Sequence, residues 1–250
     1  MKYRRVLIKL SGEALANENK DGKIFDDAHC DRIAEQLVRA VEQGTSIGLV
    51  IGAGNIWRGR QGAEMDATVA DHMGMLATVI NAMYMSEVIN RVALRLHSAV
   101  SAMVMTAIEM NAFAQPYTYR EAVQALDGGK IVIFAAGTGH PFFSTDTAAA
   151  LRSVEIGADA LLCGKSIDYL YTADPNAKPE PGKPYIKPEP IYHTSFMNVI
   201  EKRYRLMDLA AVAICMDHKL PILTFALAQP ENIGRVLDGE NVGTIVDDNE

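Results

Sequence analysis

Short unbroken apolar runs alternate along this chain with longer stretches whose apolar residues recur every third or fourth position. The first run, Val6 to Leu10, is too short for a helix and is followed closely by Gly12, so it reads as a buried strand. Ile47 to Ile51, Ala99 to Met105, Ile131 to Ala135, Ala160 to Cys163, Pro221 to Phe225 and Val242 to Val246 read as further strands. Between them the spacing predicts helices. Asp26-Asp27 opens one whose Ile33, Leu37 and Val41 recur every fourth residue, ending at Gly44. Residues 66–96 are helical in pattern, as two helices or one bent one, with Met73, Met75, Met83 and Met85 as core or subunit-interface packing. Tyr119 to Leu126 reads as a short helix closed by Asp127-Gly128-Gly129, and an alanine-rich helix runs from about Thr147 to Ile156. Asp208 to Asp217 and Pro230 to Leu237 are the last helices. Residues 13–25 read as a polar loop, and the prolines crowded between Pro175 and Pro190 predict an extended, lysine-bearing flap. Strands alternating with helices throughout predict one α/β domain, residues 1–250. Its architecture is a three-layer α/β/α sandwich with a largely parallel central sheet.

A chain of 250 residues that is 49% hydrophobic can bury the core this pattern asks for. With 24 basic against 31 acidic residues, net −7, it lacks the basic face of a general nucleic-acid or membrane-surface binder. Any attraction for an anion must therefore be local. Cys30, Cys163 and Cys215 are odd in number and lack paired metal spacing, as expected of reduced core thiols in a cytoplasmic protein. The first strand follows the N-terminus without an apolar signal stretch, and no window approaches the length of a membrane span.

One lysine interrupts the first apolar run. A buried ammonium is costly unless an anion meets it, so Lys9 must reach the strand's carboxyl end or find a partner. Three strands end in small-residue loops: Leu10-Ser11-Gly12, Gly52-Ala53-Gly54-Asn55 and Gly137-Thr138-Gly139. Each can present backbone donors to an anion, and ligands of open α/β sheets sit beyond the carboxyl ends of the strands. Arg58 follows the second loop, where a guanidinium can grip phosphate oxygens. Asp146, Asp174 and Asp208 stand near loop or helix starts, where, taken singly, an ordinary N-cap is the default reading of each. Two familiar phosphate motifs fail: Trp57 occupies the third glycine position of a dinucleotide fingerprint, and Asp159 the leading glycine of a Walker A loop. Glycine loops, Lys9, Arg58 and carboxylates together fit phosphoryl transfer, which needs positioned positive charge and a magnesium ion more than a strong base.

Several runs carry a closer likeness. Lys9 to Leu15, Gly54 to Gly59, Asp71 to Thr78, Ala135 to Asp146, Tyr171 to Pro175 and Met207-Asp208 resemble, in order and over nearly the whole chain, the bacterial UMP kinase family. That family has the amino-acid kinase fold, which agrees with the missing Walker A loop. The resemblance implies transfer of the ATP γ-phosphoryl group to UMP, with an N-terminal lobe binding UMP and a C-terminal lobe binding ATP. It implies catalytic roles for Lys9, Asp146 and Asp208. On the ATP side it implies Lys9, Leu10, Ser11, Gly12, Gly54, Arg58, Lys165, Tyr171 and Asp174. On the UMP side it implies Ala53, Asp71 for the ribose, and the loop Thr138, Gly139, His140, Pro141, Phe142, Phe143, Ser144 and Thr145. Phe142 and Phe143 are otherwise core aromatics at a helix start. Mg2+ bridged mainly by the ATP phosphates, a homohexamer and inhibition by UTP are further implications, with no nucleic-acid or membrane partner. Ala53 departs from a usual glycine, His140 from a common asparagine, and Cys163-Gly164-Lys165-Ser166 from a more usual Lys-Ala-Thr/Asn-Lys. The competing readings are another small-molecule kinase of this fold and an oxoanion-binding protein without turnover. The sequence also predicts that Lys9→Ala lowers kcat severely with little change in stability.

Overall fold

Strand β1, Arg5–Leu10, lies in the middle of the molecule with parallel neighbours on both sides. The structure, a computed structural model, describes residues 1–16, 23–57, 64–173, 187–204 and 206–248. On one side β1 pairs with β2 (Ser46–Ile51), and beyond it stand β5 (Lys130–Ala135), β3 (Ser101–Thr106) and the short β4 (Gln115–Pro116). On the other side come β6 (Ala160–Lys165), β10 (Ile222–Ala226), β11 (Ile245–Val246) and β9 (His193–Thr194). All pairings in this nine-stranded sheet are parallel except β10 with β11. A separate antiparallel pair joins β7 (Leu170–Tyr171) to β8 (Pro190–Ile191). The largely parallel sheet expected from strand–helix alternation is thus present.

Period-two alternation splits the core into two layers. Val6, Ile8 and Leu10 face one side, where they pack with α2 (Asp27–Glu42), α3 (Ala67–Arg95) and α8 (Asn232–Leu237). Leu7 faces the other, with α4 (Tyr119–Asp127), α5 (Thr145–Glu155), α6 (Phe196–Glu201) and α7 (Leu209–Asp217). Lys9 shares the alternation of Leu7 and so points towards the α5 and α7 layer. Asp26 caps α2 by accepting from the His29 amide at 3.0 Å, and Thr118 caps α4 through the Glu121 amide.

Three expectations change. The reading of 66–96 as two helices or a bent one resolves to a single helix of 29 residues. Its methionines divide: Met75 and Met85 are buried, whereas Met83 is exposed together with Val69, Leu76 and Ile80. The loop read over 13–25 begins instead with α1 (Gly12–Ala16), a turn of helix closed by the Ala14 amide on the Ser11 hydroxyl at 3.2 Å. The alanine-rich helix starts at Thr145 rather than Thr147, because the Ser144 hydroxyl accepts from the amides of Asp146 and Thr147. Most of the proline-rich flap lies outside the described residues.

Candidate active site

The order of strands makes β1 a switch point: the chain proceeds from it to β2 on one side and later to β6 on the other. Loops leaving the carboxyl ends of these strands diverge around a crevice, the usual ligand position in such sheets. Here the first two loops nearly touch. A Cβ on Gly12 would lie 2.4 Å from Asn55 Oδ1 and 2.5 Å from the Gly52 carbonyl, so only glycine permits the approach. The third loop closes the ring, with Thr145 Oγ1 about 3.4 Å from where a Gly52 Cβ would stand.

Lys9 sits among these loops. Its ammonium meets Asp146 Oδ1 at 2.8 Å, and both side chains are largely covered. Burial alone would lower the lysine pKa, but the Asp146 carboxylate reverses that and holds it above the ordinary value, so Lys9 is a cation at neutral pH. Asp146 occupies the first turn of α5, where the helix dipole also favours a carboxylate.

Asp208 acts one step behind. It caps α7 through the Ala211 amide at 2.8 Å, as the N-cap reading allowed. Its other oxygen accepts from the hydroxyls of Thr147, at 2.8 Å, and Ser144. Burial would raise its pKa, but those hydroxyls and the Ala211 amide outweigh it and hold the carboxyl below its ordinary value. Among the described residues it forms no ion pair with Lys9. It ties the start of α7 to the start of α5, and so fixes Asp146 in front of the lysine. Lys165, at the end of β6, gives its ammonium to the Leu206 carbonyl, and burial pulls its pKa down.

Beside this cluster lies a cavity of about 190 Å³. Ala53, Asp71, Thr138, His140, Phe143 and Thr145 line it, all expected on the acceptor side, and so does Gly54. Gly139, Pro141, Phe142 and Ser144 belong to the same loop without lining it. Gly139 has φ +81°, a left-handed conformation that suits glycine, and its amide donates to the Ala136 carbonyl at 3.0 Å. Asp71 accepts from the Phe142 amide at 2.7 Å, which leaves carboxylate lone pairs open towards the cavity. Phe142 and Phe143 are 73% and 54% exposed, which excludes the core-aromatic reading. Tyr171 donates its hydroxyl to Asp168 at 2.9 Å on the β7–β8 pair. Arg58 and Asp174 lie outside the described residues.

Sequence reasoning missed Trp57, Thr78 and Asn81. Trp57 lines the cavity and donates its indole N–H to the Ala70 carbonyl at 2.9 Å. Thr78 and Asn81 are polar side chains buried on α3. The available signal was their place on the same helical face as Met75, Ala82 and Met85.

No three His, Cys, Asp or Glu side chains gather into a metal cage among the described residues. Magnesium ordinarily takes only one or two carboxylates and completes its shell with water and substrate phosphates. Asp146, which meets Lys9 through Oδ1, offers one such carboxylate, whereas both oxygens of Asp208 are already engaged.

Fold and site define an α/β protein in which three small-residue loops converge over the carboxyl edge of a parallel sheet, around a lysine supplied by the central strand. Residues 4–225 match the amino acid kinase family. The structure is similar to a UMP kinase from Bacillus anthracis, with TM-score 0.89 and 35% identity over 100% of this chain and 98% of the other. It is also similar to a UMP kinase from Ureaplasma parvum, with TM-score 0.86 and 31% identity over 99% and 100% of the two chains. A uridylate kinase from Archaeoglobus fulgidus shares the fold at 23% identity, TM-score 0.68, over 98% and 100%. The chain belongs to the amino acid kinase family.

Proposed function

We infer that this protein is a UMP kinase, transferring the γ-phosphoryl group of ATP to UMP to give UDP and ADP. The observation that carries the reading is the Lys9–Asp146 pair, set where three anion-receptive loops converge beside a cavity faced by Asp71. Full-length similarity to two UMP kinases at 35% and 31% identity supports the same acceptor.

The acceptor phosphate is already ionised, so the reaction needs no general base; it needs two anions held close and their charge met. Lys9 meets the transferring group, and Asp146, fixed by Asp208 through Ser144 and Thr147, holds the ammonium in line. Amides of the loops at Ser11-Gly12 and Ala53-Gly54 face the phosphates, and the role of Arg58 is to grip phosphate oxygens. Asp71 takes the ribose hydroxyls, and the loop from Thr138 to Thr145 holds uracil and the UMP phosphate. Lys165, Tyr171 and Asp174 serve ATP, which places UMP in the N-terminal and ATP in the C-terminal part of one domain. Asp146 would help to hold an Mg2+ ion brought with ATP, and that ion would supply positive charge against the phosphates of the two nucleotides.

The assembly we propose is a homohexamer. Its support is the stripe of Val69, Leu76, Ile80 and Met83 exposed along α3, an apolar surface suited to a second copy. UTP carries the same uracil and ribose as UMP, so it competes for the acceptor cavity as an inhibitor. No helix among the described residues is long and apolar enough to cross a membrane, and the place of action we propose is the cytoplasm.

An ADP-release assay with Mg-ATP and UMP, CMP, dUMP, AMP or acetylglutamate as acceptor tests the reading. UMP is expected to be turned over fastest. Preference for CMP overturns the assignment of the 138–145 loop, and turnover of acetylglutamate without UMP overturns the function.

A further inference from the structure

Helix α3 contributes more than the ribose-facing Asp71. Two turns further on, Thr78 is only 4% exposed and its hydroxyl makes two bonds. The proton goes to the Met75 carbonyl at 2.6 Å, which aims a lone pair at the Ala136 amide, 2.9 Å away. Ala136 has φ +61°, unusual for a residue with a side chain, and Gly137 follows at +59°. Together they turn the chain sharply off β5 into the acceptor loop. A buried amide in that turn has Thr78 as its acceptor, and without the hydroxyl it would have to shift to find another.

Three residues later, Asn81 is fully buried. Its Nδ2 donates to the Gly52 carbonyl at 2.7 Å and to Asn55 Oδ1 at 2.8 Å, and its Oδ1 accepts from Asn55 Nδ2 at 3.1 Å. Asn55 Nδ2 also donates to the Ile24 carbonyl at 3.0 Å. The segment held in this way is the one against which Gly12 lies, at the end of the strand that carries Lys9. Positions 78 and 81 are separated by about 4.5 Å along the helix axis, so one stiff element spaces both loops.

We propose that Thr78 and Asn81 are positioning residues for phosphoryl transfer. Thr78 sets the turn that receives the acceptor, and Asn81 sets the loop that meets Gly12 and faces both nucleotides. The proposal rests on the reading of the site as a UMP kinase. Misplacing an acceptor turn weakens acceptor binding, whereas misplacing the loop between two reacting groups slows the step itself.

The two substitutions should therefore differ in kind. Thr78→Val is expected to raise KM for UMP about tenfold, with kcat and KM for ATP changed less than about threefold. Thr78→Ser, which keeps the hydroxyl, should return KM to within about twofold of the unsubstituted enzyme. Asn81→Ala is expected to lower kcat about thirtyfold or more, with KM for UMP nearly unchanged. Should Asn81→Ala not fold, Asn55→Ala removes the same amide pair from the loop side, and unchanged kcat in that variant overturns the assignment. Thermal melts of each variant accompany the kinetics. Losses that only follow the folded fraction, or fall equally on kcat and KM in both variants, overturn the proposal. If the unsubstituted enzyme fails to phosphorylate UMP, the functional reading fails; if it is active and the variants match it, only the positioning roles fail.

Discussion

Removing the charge of Lys9 separates catalysis from stability, and the structure revises the expectation that stability would hardly change. Lys9→Met keeps the length of the side chain and deletes the ammonium that faces Asp146 at 2.8 Å. At that distance, with an effective dielectric of about 20, the Coulomb attraction is about 6 kcal/mol, most of which offsets the desolvation of the two groups. With side-chain exposures of 13% and 19%, the net loss on breaking the pair should be about 2–3 kcal/mol, below the range for fully buried pairs. For a chain of this size that lowers Tm by about 5–10 °C. Because the folded-state pKa of Lys9 lies above 10.5, the pair's contribution is complete below that pH and is lost only as pH rises through the folded value. The Tm difference should accordingly stay constant from about pH 6 to pH 9. Activity should fall further, about a hundred- to a thousandfold in kcat, as expected when one electrostatic stabiliser of the transferring group is deleted. The double variant Lys9→Met/Asp146→Asn removes the uncompensated carboxylate, so it should recover most of the lost Tm and none of the activity. Urea or thermal melts and steady-state kinetics on the original enzyme, Lys9→Met and the double variant form the test. Recovery of kcat in the double variant, or a Lys9→Met enzyme within tenfold of the original, would refute the catalytic role of the ammonium.

Gly12→Ala places a methyl 2.5 Å from the Gly52 carbonyl and 2.8 Å from the Gly54 amide, so the first two loops must part. It should abolish measurable turnover while costing about 1–3 kcal/mol of stability, and an active, equally stable variant would contradict the convergence of the loops. Asp208, with a folded-state pKa below 3.8, contributes stability that is present above that pH and lost as pH falls through the folded value. Urea titrations from about pH 5 down to about pH 2 should show a shallower acid limb for Asp208→Asn, and an unchanged slope would exclude the linkage. Burial pushes the thiols of Cys30, Cys163 and Cys215 up to about 12. A disulfide reagent at about pH 8 should react with the native protein only as fast as it unfolds, and a prompt reaction of any thiol would overturn their burial.

The parallel sheet was legible because each long strand is an apolar run bounded by turn residues, and its helices because their caps are local. Asp26 and Thr118 fulfil their capping role with side chains only a few residues from the amides they meet. Two-residue strands such as β4, β7, β8 and β9 carry no such signal, since pairing with a distant segment alone defines them. Helix α3 was ambiguous because its middle, residues 73–85, is apolar on nearly every face, buried at Met75 and Met85 yet exposed at Leu76 and Ile80. In the site, Lys9 stood out as a lone charge in an apolar strand. Asp208 did not divide into cap or functional group, because one of its oxygens caps α7 while the other accepts from side chains at the start of α5. Thr78 and Asn81 stayed hidden for a different reason. A polar residue in a helix is usually solvated, and only the packing of α3 on two separate loops shows what theirs hold.

The position of β1 also constrains how the protein is made. Its two partners come from residues 46–51 and 160–165, so one edge of the strand stays open until synthesis has passed the later segment. Until then the nascent chain presents an unpaired apolar edge, a template for association with other chains. Fragments ending before residue 160 should need a chaperone to remain dispersed. Closing that edge demands a contact between segments far apart in sequence, which favours slow maturation over rapid local collapse.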